Sequence, residues 1–146
     1  MLFRSGIARD MLDSRLTGTG EIFGTPQYMA PERITGIEAG PSADLYALGC
    51  ILFRCATGRL PFEAADVTAY LIHHLRHAPP SARSLNPEVP PELDELILSS
   101  LAKDPARRPV DARAMERSLA ALAQRDRKST RLNSSHSSVS RMPSSA

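Results

Sequence analysis

Gly24-Thr25-Pro26-Gln27-Tyr28-Met29-Ala30-Pro31-Glu32 is the most specific string in this chain of 146 residues. It lies within residues 6–40, a segment that is rich in Gly, Thr and Pro and has little hydrophobic periodicity. An aperiodic segment of this length predicts a long ordered loop, and such loops in compact domains are usually functional. The string is therefore the first place in the chain where a functional site is expected.

Helices are predicted after this loop, and no strand pattern of comparable strength is present. The first helix covers residues 43–57, with Ser42 as its N-cap and Gly58 as its end. Proline signals separate it from the helices that follow. The second helix covers residues 66–77. The third starts near Pro91, and one stripe of it carries Leu93, Leu96, Ile97, Ser100 and Leu101. The fourth begins at Asp111, and its inward-facing residues are Met115, Leu119 and Leu122.

The helix over residues 43–57 is apolar around most of its circumference, and such a helix is predicted to lie in the middle of a core. Its two cysteines, Cys50 and Cys55, are five residues apart and do not share a helix face. We therefore expect reduced, buried thiols rather than a disulfide. The other apolar positions are Leu45, Leu48, Ile51, Leu52, Phe53 and Ala56.

Residues 125–146 form a Ser-rich tail with few apolar side chains, a composition that predicts disorder. The basic residues of the tail outnumber its one acidic residue, so the net charge of +2 gives no reason to expect nucleic-acid binding by the main body. The longest apolar stretch, residues 45–53, is shorter than the roughly 20 residues that span a bilayer. No membrane segment is therefore predicted in this chain.

Three further strings follow the first along the chain. They are Asp44-Leu45-Tyr46-Ala47-Leu48-Gly49, Thr57-Gly58-Arg59-Leu60-Pro61-Phe62 and Leu101-Ala102-Lys103-Asp104-Pro105-Ala106-Arg107-Arg108-Pro109. In this order and spacing, the four strings resemble the bacterial-type serine/threonine protein kinases, and the first is similar to the end of the activation segment, which closes on Ala-Pro-Glu. The resemblance implies a mainly α fold, the C-terminal helical lobe of the kinase domain without the N-terminal lobe, with residues 6–124 as a partial kinase domain.

The resemblance also assigns roles to individual residues. Thr25 would favour Ser/Thr acceptors, and the segment from Pro26 through Gln27 and Tyr28 to Met29 would shape the pocket for the residue after the acceptor. Glu32 would form a buried ion pair with Arg108. Two solvated surface charges are the alternative for that pair, but the adjacent residues Pro31 and Pro109 mark helix-bounding turns and favour the pair.

Three further groups of polar residues carry weaker expectations. Asp44 is placed to complement a helix dipole, and in the family it also anchors the catalytic loop. Thr17 and Thr19 resemble activation-loop phosphorylation sites, Ser14 less so, and an unmodified flexible loop is an equal alternative. The last group is a histidine cluster without an acidic or Cys partner at ligand spacing, which predicts solvated histidines rather than a metal site: His73, His74 and His77.

Phosphoryl transfer needs a glycine-rich loop, a strand lysine, a catalytic aspartate with its asparagine, and a second metal-binding aspartate. The first four have no counterpart in the sequence. The family pattern places the last in an Asp-Phe-Gly motif that would end at Gly6, where the preceding residues are Arg4 and Ser5. We therefore expect ATP and Mg²⁺ to serve the full-length parent, no cofactor to bind this chain, and the chain alone to be inactive.

Both termini are similar to translated sequencing-library adapter. Leu2-Phe3-Arg4-Ser5 can be encoded as CTC TTC CGA TCT, and the reverse complement, shifted by one base, encodes Asp126-Arg127-Lys128 and begins a Ser codon. A natural Ser-rich tail that matches by chance is the alternative. The adapter interpretation assigns residues 1–5 and 125–146 to adapter and excludes them from fold reasoning.

Three functions remain open from the sequence. The leading one is a fragment of a kinase that phosphorylates Ser/Thr of protein substrates in the cytoplasm, from a parent whose membrane anchoring is undecided. A pseudokinase-like module that binds partners through residues 66–77 and 24–32 is the second, and an unrelated helical interaction domain is the third. The isolated fragment is also expected to self-associate, because part of its central helix would face water.

Overall fold

The computed structural model of the chain describes residues 25–137, with side chains up to residue 135. In this range the chain forms α-helices and two short 3-10 turns, without any strand. The predicted mainly α fold is therefore confirmed. The 3-10 turns are Pro26–Tyr28 and Pro105–Arg107, and the helices are α1 (Pro31–Thr35), α2 (Ser42–Thr57), α3 (Val67–Arg76), α4 (Ala82–Leu85), α5 (Pro91–Ser100) and α6 (Ala112–Ser137).

Helix α2 lies at the centre of the described part of the chain. It packs against α5, against the 3-10 turn Pro26–Tyr28 and against α4. Its largest buried side chains, Tyr46 and Phe53, are fully enclosed. The core that forms around them consists of Ala30, Ala43, Tyr46, Cys50, Phe53, Ala82, Val89, Ile97 and Leu101.

The two ends of α2 differ in how far they follow the sequence prediction. Gly58 ends the helix with a left-handed φ of 76°, and its N–H donates to the Arg54 carbonyl at 2.7 Å. This conformation is the one that glycine adopts without a steric penalty. Ser42 was predicted as the N-cap, but it is the first helical residue, and Pro41 precedes it as the cap without any side-chain bond. The prediction of Ser42 as the cap is therefore wrong.

One face of α2 is not covered by any of the described residues. Ile51 is 46% exposed, Cys55 is exposed, and Leu48 is only half-buried. These three positions follow the three- and four-residue spacing of a single helix face. The predicted burial is therefore correct for Cys50 and wrong for Cys55, because the packing partners of α2 lie on its other sides.

Helix α3 begins and ends as the sequence predicts. The Asp66 carboxylate accepts a hydrogen bond from the Ala69 N–H at 2.8 Å, so Asp66 caps the helix, and His77 follows its last turn. Leu71 packs with Ile34 of α1 in a small second cluster. This contact places α3 beside the loop that precedes α1.

Helix α6 continues into the tail, where disorder was predicted. Asp111 caps its start by accepting from the Ala114 N–H at 2.7 Å, and the helix reaches Ser137. Beyond Arg125 the described side chains are exposed, so tertiary burial does not hold this part. Extending an existing helix costs less than starting one, because no new nucleus has to form. The disorder prediction is wrong for residues 125–137.

Gly49 is the point of closest approach between α2 and α5. A Cβ atom added at Gly49 would lie 2.8 Å from the Ser100 Cβ and 3.2 Å from the Leu101 Cδ2. Both neighbours belong to the buried core. Absence of a side chain at Gly49 therefore sets the separation of the two helices.

Gly49→Ala is expected to destabilise the chain. Alanine raises helix propensity by about 1 kcal/mol, but forcing a methyl group into a packed core costs about 1–3 kcal/mol. A net loss of up to about 2 kcal/mol in the free energy of unfolding by urea is the expected result. Gly40→Ala is the matched control, because nothing lies within 4 Å of its added Cβ and its φ is not positive. Equal effects of the two substitutions would contradict the close approach.

Candidate acceptor-binding segment and its buried anchors

The sequence analysis pairs Glu32 with Arg108, and the structure brings the two side chains together. The Arg108 Nη1 lies 2.6 Å from the Glu32 Oε1, and the Arg108 Nη2 lies 2.9 Å from the Glu32 Oε2. Both side chains are almost fully buried, with exposed fractions of 0% for Arg108 and 9% for Glu32. The pair is therefore a bidentate ion pair within the protein interior.

The remaining donors of Arg108 also have partners. Its Nε donates to the Ala102 carbonyl at 2.8 Å, its Nη1 also donates to the Ser42 carbonyl at 3.0 Å, and its Nη2 donates to the Lys103 carbonyl at 3.2 Å. A buried guanidinium is tolerated only when its donors are satisfied. These bonds join the start of α2 and the end of α5 to the first turn of α1.

Local sequence explains why Glu32 points at Arg108. Pro31 occupies the first helical position of α1, where a missing N–H costs nothing, so Glu32 falls in the first turn. Asp104 caps the second 3-10 turn by accepting from the Ala106 N–H at 2.9 Å, which fixes the backbone just before Arg108. Burial by itself would raise the pKa of Glu32, but the hydrogen bond from Arg108, a backbone hydrogen bond and the charges of Arg108 and Arg33 together lower the pKa below its ordinary value. Glu32 is therefore ionised at neutral pH.

The predicted acceptor-binding residues lie at the surface directly before this pair. Thr25 is exposed, and its carbonyl accepts from the Tyr28 N–H at 3.0 Å, which closes the 3-10 turn. Arg54 of α2 donates to the Tyr28 hydroxyl at 2.9 Å. A small open cavity of about 130 Å³ is lined by Thr25, Tyr28 and Met29 together with Arg33. This segment therefore has a defined shape and an accessible surface.

His74 of α3 was predicted to be solvated, and this prediction is wrong. It is fully buried, its Nδ1 lies 2.7 Å from the Tyr46 hydroxyl, and its Nε2 lies 3.1 Å from the Gln27 carbonyl. The signal in the sequence was its position between Leu71 and Leu75, on the apolar stripe of the helix. His74 thus belongs to the anchors of the candidate site.

Lys103 completes the buried surroundings of this histidine. Its Nζ lies 4.6 Å from the centre of the Phe62 ring and donates to the His73 carbonyl at 3.3 Å. Burial lowers the pKa of Lys103 to about 8 and raises the pKa of Cys50 to about 12. Cys50 is therefore an unreactive thiol at neutral pH.

Comparison with known proteins decides the family. Residues 5–119 match the protein kinase domain family. The chain belongs to that family. It is 47% identical over 104 residues to the serine/threonine-protein kinase PknD of Mycobacterium tuberculosis. The matched residues cover 70% of this chain and 16% of PknD. It is also 38% identical over 111 residues to the kinase PrkC of Bacillus subtilis, which covers 76% of this chain and 17% of PrkC.

A third relative extends the comparison to most of the chain. The probable serine/threonine-protein kinase PknB of Lactococcus lactis is 34% identical over 141 residues, which covers 94% of this chain and 22% of PknB. This match extends beyond residues 6–124, whereas the family match ends at residue 119. The chain spans less than a quarter of the length of these relatives. The predicted serine/threonine kinase family is therefore confirmed, and the chain corresponds to the helical C-terminal lobe.

The other predicted site residues of this kinase chain are distributed as follows. Asp44 lies in the first turn of α2 and forms an exposed ion pair with Arg33 at 3.1 Å. The remaining histidines of the cluster, His73 and His77, are half-buried and exposed. Several residues of interest lie outside the described residues: Arg4, Ser5, Ser14, Thr17, Thr19 and Gly24.

Residues 25–137 contain neither a metal-ligand cluster nor a membrane-spanning helix. In that range, no group of three or more His, Cys, Asp or Glu side chains is arranged to hold a metal ion. Nor does any helix of the described part have the length and apolar character needed to cross a bilayer.

Glu32→Ala is expected to destabilise the kinase chain strongly, because Arg108 would remain buried without its charged partner. The expected loss is about 3–5 kcal/mol in the free energy of unfolding, measured by urea denaturation. Glu63→Ala is the matched control, since it removes an ion pair with Arg59 in which both side chains are more than half exposed. That control should leave the denaturation midpoint nearly unchanged. Similar midpoints for the two variants would contradict a buried ion pair.

Proposed function

We propose that this chain is the acceptor-binding part of a serine/threonine protein kinase. The full-length parent would transfer the γ-phosphate of ATP to Ser or Thr hydroxyls of cytoplasmic proteins. In this proposal Thr25 favours hydroxyl acceptors, and the residues from Pro26 to Met29 contact the residue that follows the acceptor. The observation that supports it most strongly is the buried Glu32–Arg108 pair, because it fixes the end of this segment against the helical core.

The residues of this chain do not fit an ATP–Mg²⁺ site of their own. Magnesium in kinases is held by carboxylates together with substrate phosphates, and the family's glycine-rich loop, strand lysine, catalytic aspartate and asparagine have no counterpart in the sequence. Upstream of the described residues, Arg4 occupies the position where the family has a metal-binding aspartate, which reverses the local charge. We therefore assign no catalytic step to this chain alone, and we assign ATP and Mg²⁺ to the parent.

The purified chain is expected to show no ATP turnover above a buffer blank, because it lacks the residues that hold ATP and the metal. The assay is phosphate release and labelling of a generic basic protein in the presence of Mg²⁺. Magnesium-dependent labelling above the blank would contradict this prediction.

A chimera tests the acceptor-binding role. The residues of PrkC that precede its match to this chain would be joined to residues 6–124, which should restore transfer to the basic protein. Thr25→Ala in the chimera should lower transfer about 10- to 100-fold, because the acceptor is no longer positioned. Thr68→Ala, an exposed change on α3, is the control and should leave transfer unaltered. A folded chimera without any transfer would favour the alternative, a pseudokinase-like module that binds partners through residues 66–77 and 24–32.

Phosphorylation of Thr17 and Thr19 remains part of the proposal. The added charge would pair with basic side chains and order the segment before Gly24. Labelling the chimera with ATP and mapping the modified residues by mass spectrometry tests this role. Modification confined to other residues would remove it from the proposal.

We also propose that the isolated chain self-associates through the uncovered face of α2, formed by Leu48, Ile51 and Cys55. Ile51→Lys should shift the sedimentation coefficient toward that of a monomer, because it places a charge in the middle of this apolar face. Ile37→Lys is the matched control, since Ile37 is 68% exposed but lies in the loop after α1. A monomeric wild-type chain, or equal effects of both substitutions, would contradict this proposal.

A further inference from the structure

His74 has two hydrogen bonds whose directions are fixed by chemistry. The Gln27 carbonyl can only accept, so the His74 Nε2 carries a proton and donates to it at 3.1 Å. The Nδ1 of the neutral ring is therefore an acceptor, and the Tyr46 hydroxyl donates to it at 2.7 Å. Burial raises the pKa of Tyr46 well above its ordinary value, so its hydroxyl keeps the proton that this bond requires. Neutral His74 thus satisfies both neighbours.

The elements around His74 contribute mostly positive or neutral groups. Helix α2 contributes Tyr46, the Phe62 ring lies 5.1 Å from the His74 ring, and Lys103 approaches from the end of α5. His73 is the neighbour on α3 itself. Among the described residues, no carboxylate makes a hydrogen bond to this ring.

Arg108 connects this group to the ion pair. Its guanidinium carbon lies 5.0 Å from the centre of the Tyr46 ring, and its charge is matched by Glu32. The contacts therefore run from Glu32 through Arg108, Tyr46 and His74 to Gln27. Gln27 and Glu32 are five residues apart, so the same segment is attached to the core at both of its ends.

A second proton on His74 would disrupt this arrangement. The Nδ1 would become a donor facing a hydroxyl, and if Tyr46 turned to accept, its own proton would lose its partner in the interior. Burial, followed by the nearby charge of Lys103, lowers the pKa of His74 to about 4. The pKa of His74 in the folded chain is thus below its ordinary value near 6.5. The stabilisation that the neutral His74 ring provides is therefore fully present above about pH 6.5, and it is lost as the pH falls through about 4.

We propose that His74 is a positioning residue of the acceptor-binding segment. Its neutral imidazole holds the Gln27 carbonyl and so sets the backbone path from Thr25 to Met29, and protonation of the imidazole releases that path while the rest of the core stays folded. The description of this segment as acceptor-binding rests on the proposed function, whereas the attachment of the backbone to His74 does not.

The experiment follows the full chain by NMR between pH 3.5 and pH 7.5, a range that includes the expected midpoint near pH 4 and the fully neutral state of His74. The His74 ring protons and the amides of Gln27, Tyr28 and Met29 should shift with one common midpoint near pH 4. The amides of Ile97 and Leu101, which lie in the core on the side of α5, should stay constant.

Variants separate positioning from general stability. In His74→Gln the side-chain amide can donate to Gln27 and accept from Tyr46 but does not titrate, so the three amides should keep their neutral-pH shifts and lose the acid transition. In His74→Leu these amides should be displaced already at pH 7.5. Tyr46→Phe removes the donor to the His74 Nδ1 and should raise the midpoint of the His74 titration by about one pH unit. If His74→Leu does not fold, this variant tests the positioning role instead.

His77→Gln is the control, because His77 is exposed, and it should behave as the wild type. Separate midpoints for the ring and the amides, an acid transition that persists in His74→Gln, or simultaneous loss of the Ile97 and Leu101 signals would each overturn the proposal. No ATP or acceptor is used, so failure of the proposed function would appear only as absent transfer in the chimera.

Discussion

The buried pair between Glu32 and Arg108 is the constraint on which the rest of this structure depends. It joins residues separated by 76 positions in the chain, and it closes the loop that contains α2 and α5. Two charges in the interior are costly unless their donors and acceptors are satisfied, and here each guanidinium nitrogen has at least one acceptor. The pair therefore fixes the first turn of α1 against the backbone that follows α5.

The consequence for function lies in the segment that precedes Glu32. One end is held by Arg108, and the other end is held by His74 through the Gln27 carbonyl. Tyr28 lies between these two anchors, where it is half-buried and further fixed by Arg54, and the exposed Thr25 lies two residues before Gln27. A surface that is rigid but exposed suits recognition of a peptide acceptor, because less conformational entropy is lost on binding. In the proposed function, this lobe contributes positioning of the acceptor rather than the groups that transfer phosphate.

The sequence predicted the main helices more completely than it predicted the candidate site. Gly58 and the aspartates at 66 and 111 define helix ends by local rules, so the end of α2, the bounds of α3 and the start of α6 were predictable, whereas the short helices α1 and α4 were not predicted. The Glu32–Arg108 pair was reached only through the family resemblance, since no local pattern connects residues so far apart. The burial of His74 was not predicted, because a histidine on a partly polar helix is expected to be solvated unless its tertiary neighbour, here Tyr46, is known. Exposure of Cys55 likewise depends on which helices pack around α2.

A double-mutant cycle on Glu32 and Arg108 tests the central claim most directly. The free energies of unfolding would be measured for the wild type, Glu32→Ala, Arg108→Ala and the double variant. Since each single change strands a buried charge, the account predicts a coupling free energy of about 2–3 kcal/mol, with the double variant less destabilised than the sum of the singles. Additivity within about 0.5 kcal/mol would contradict it, because residues that do not interact behave independently.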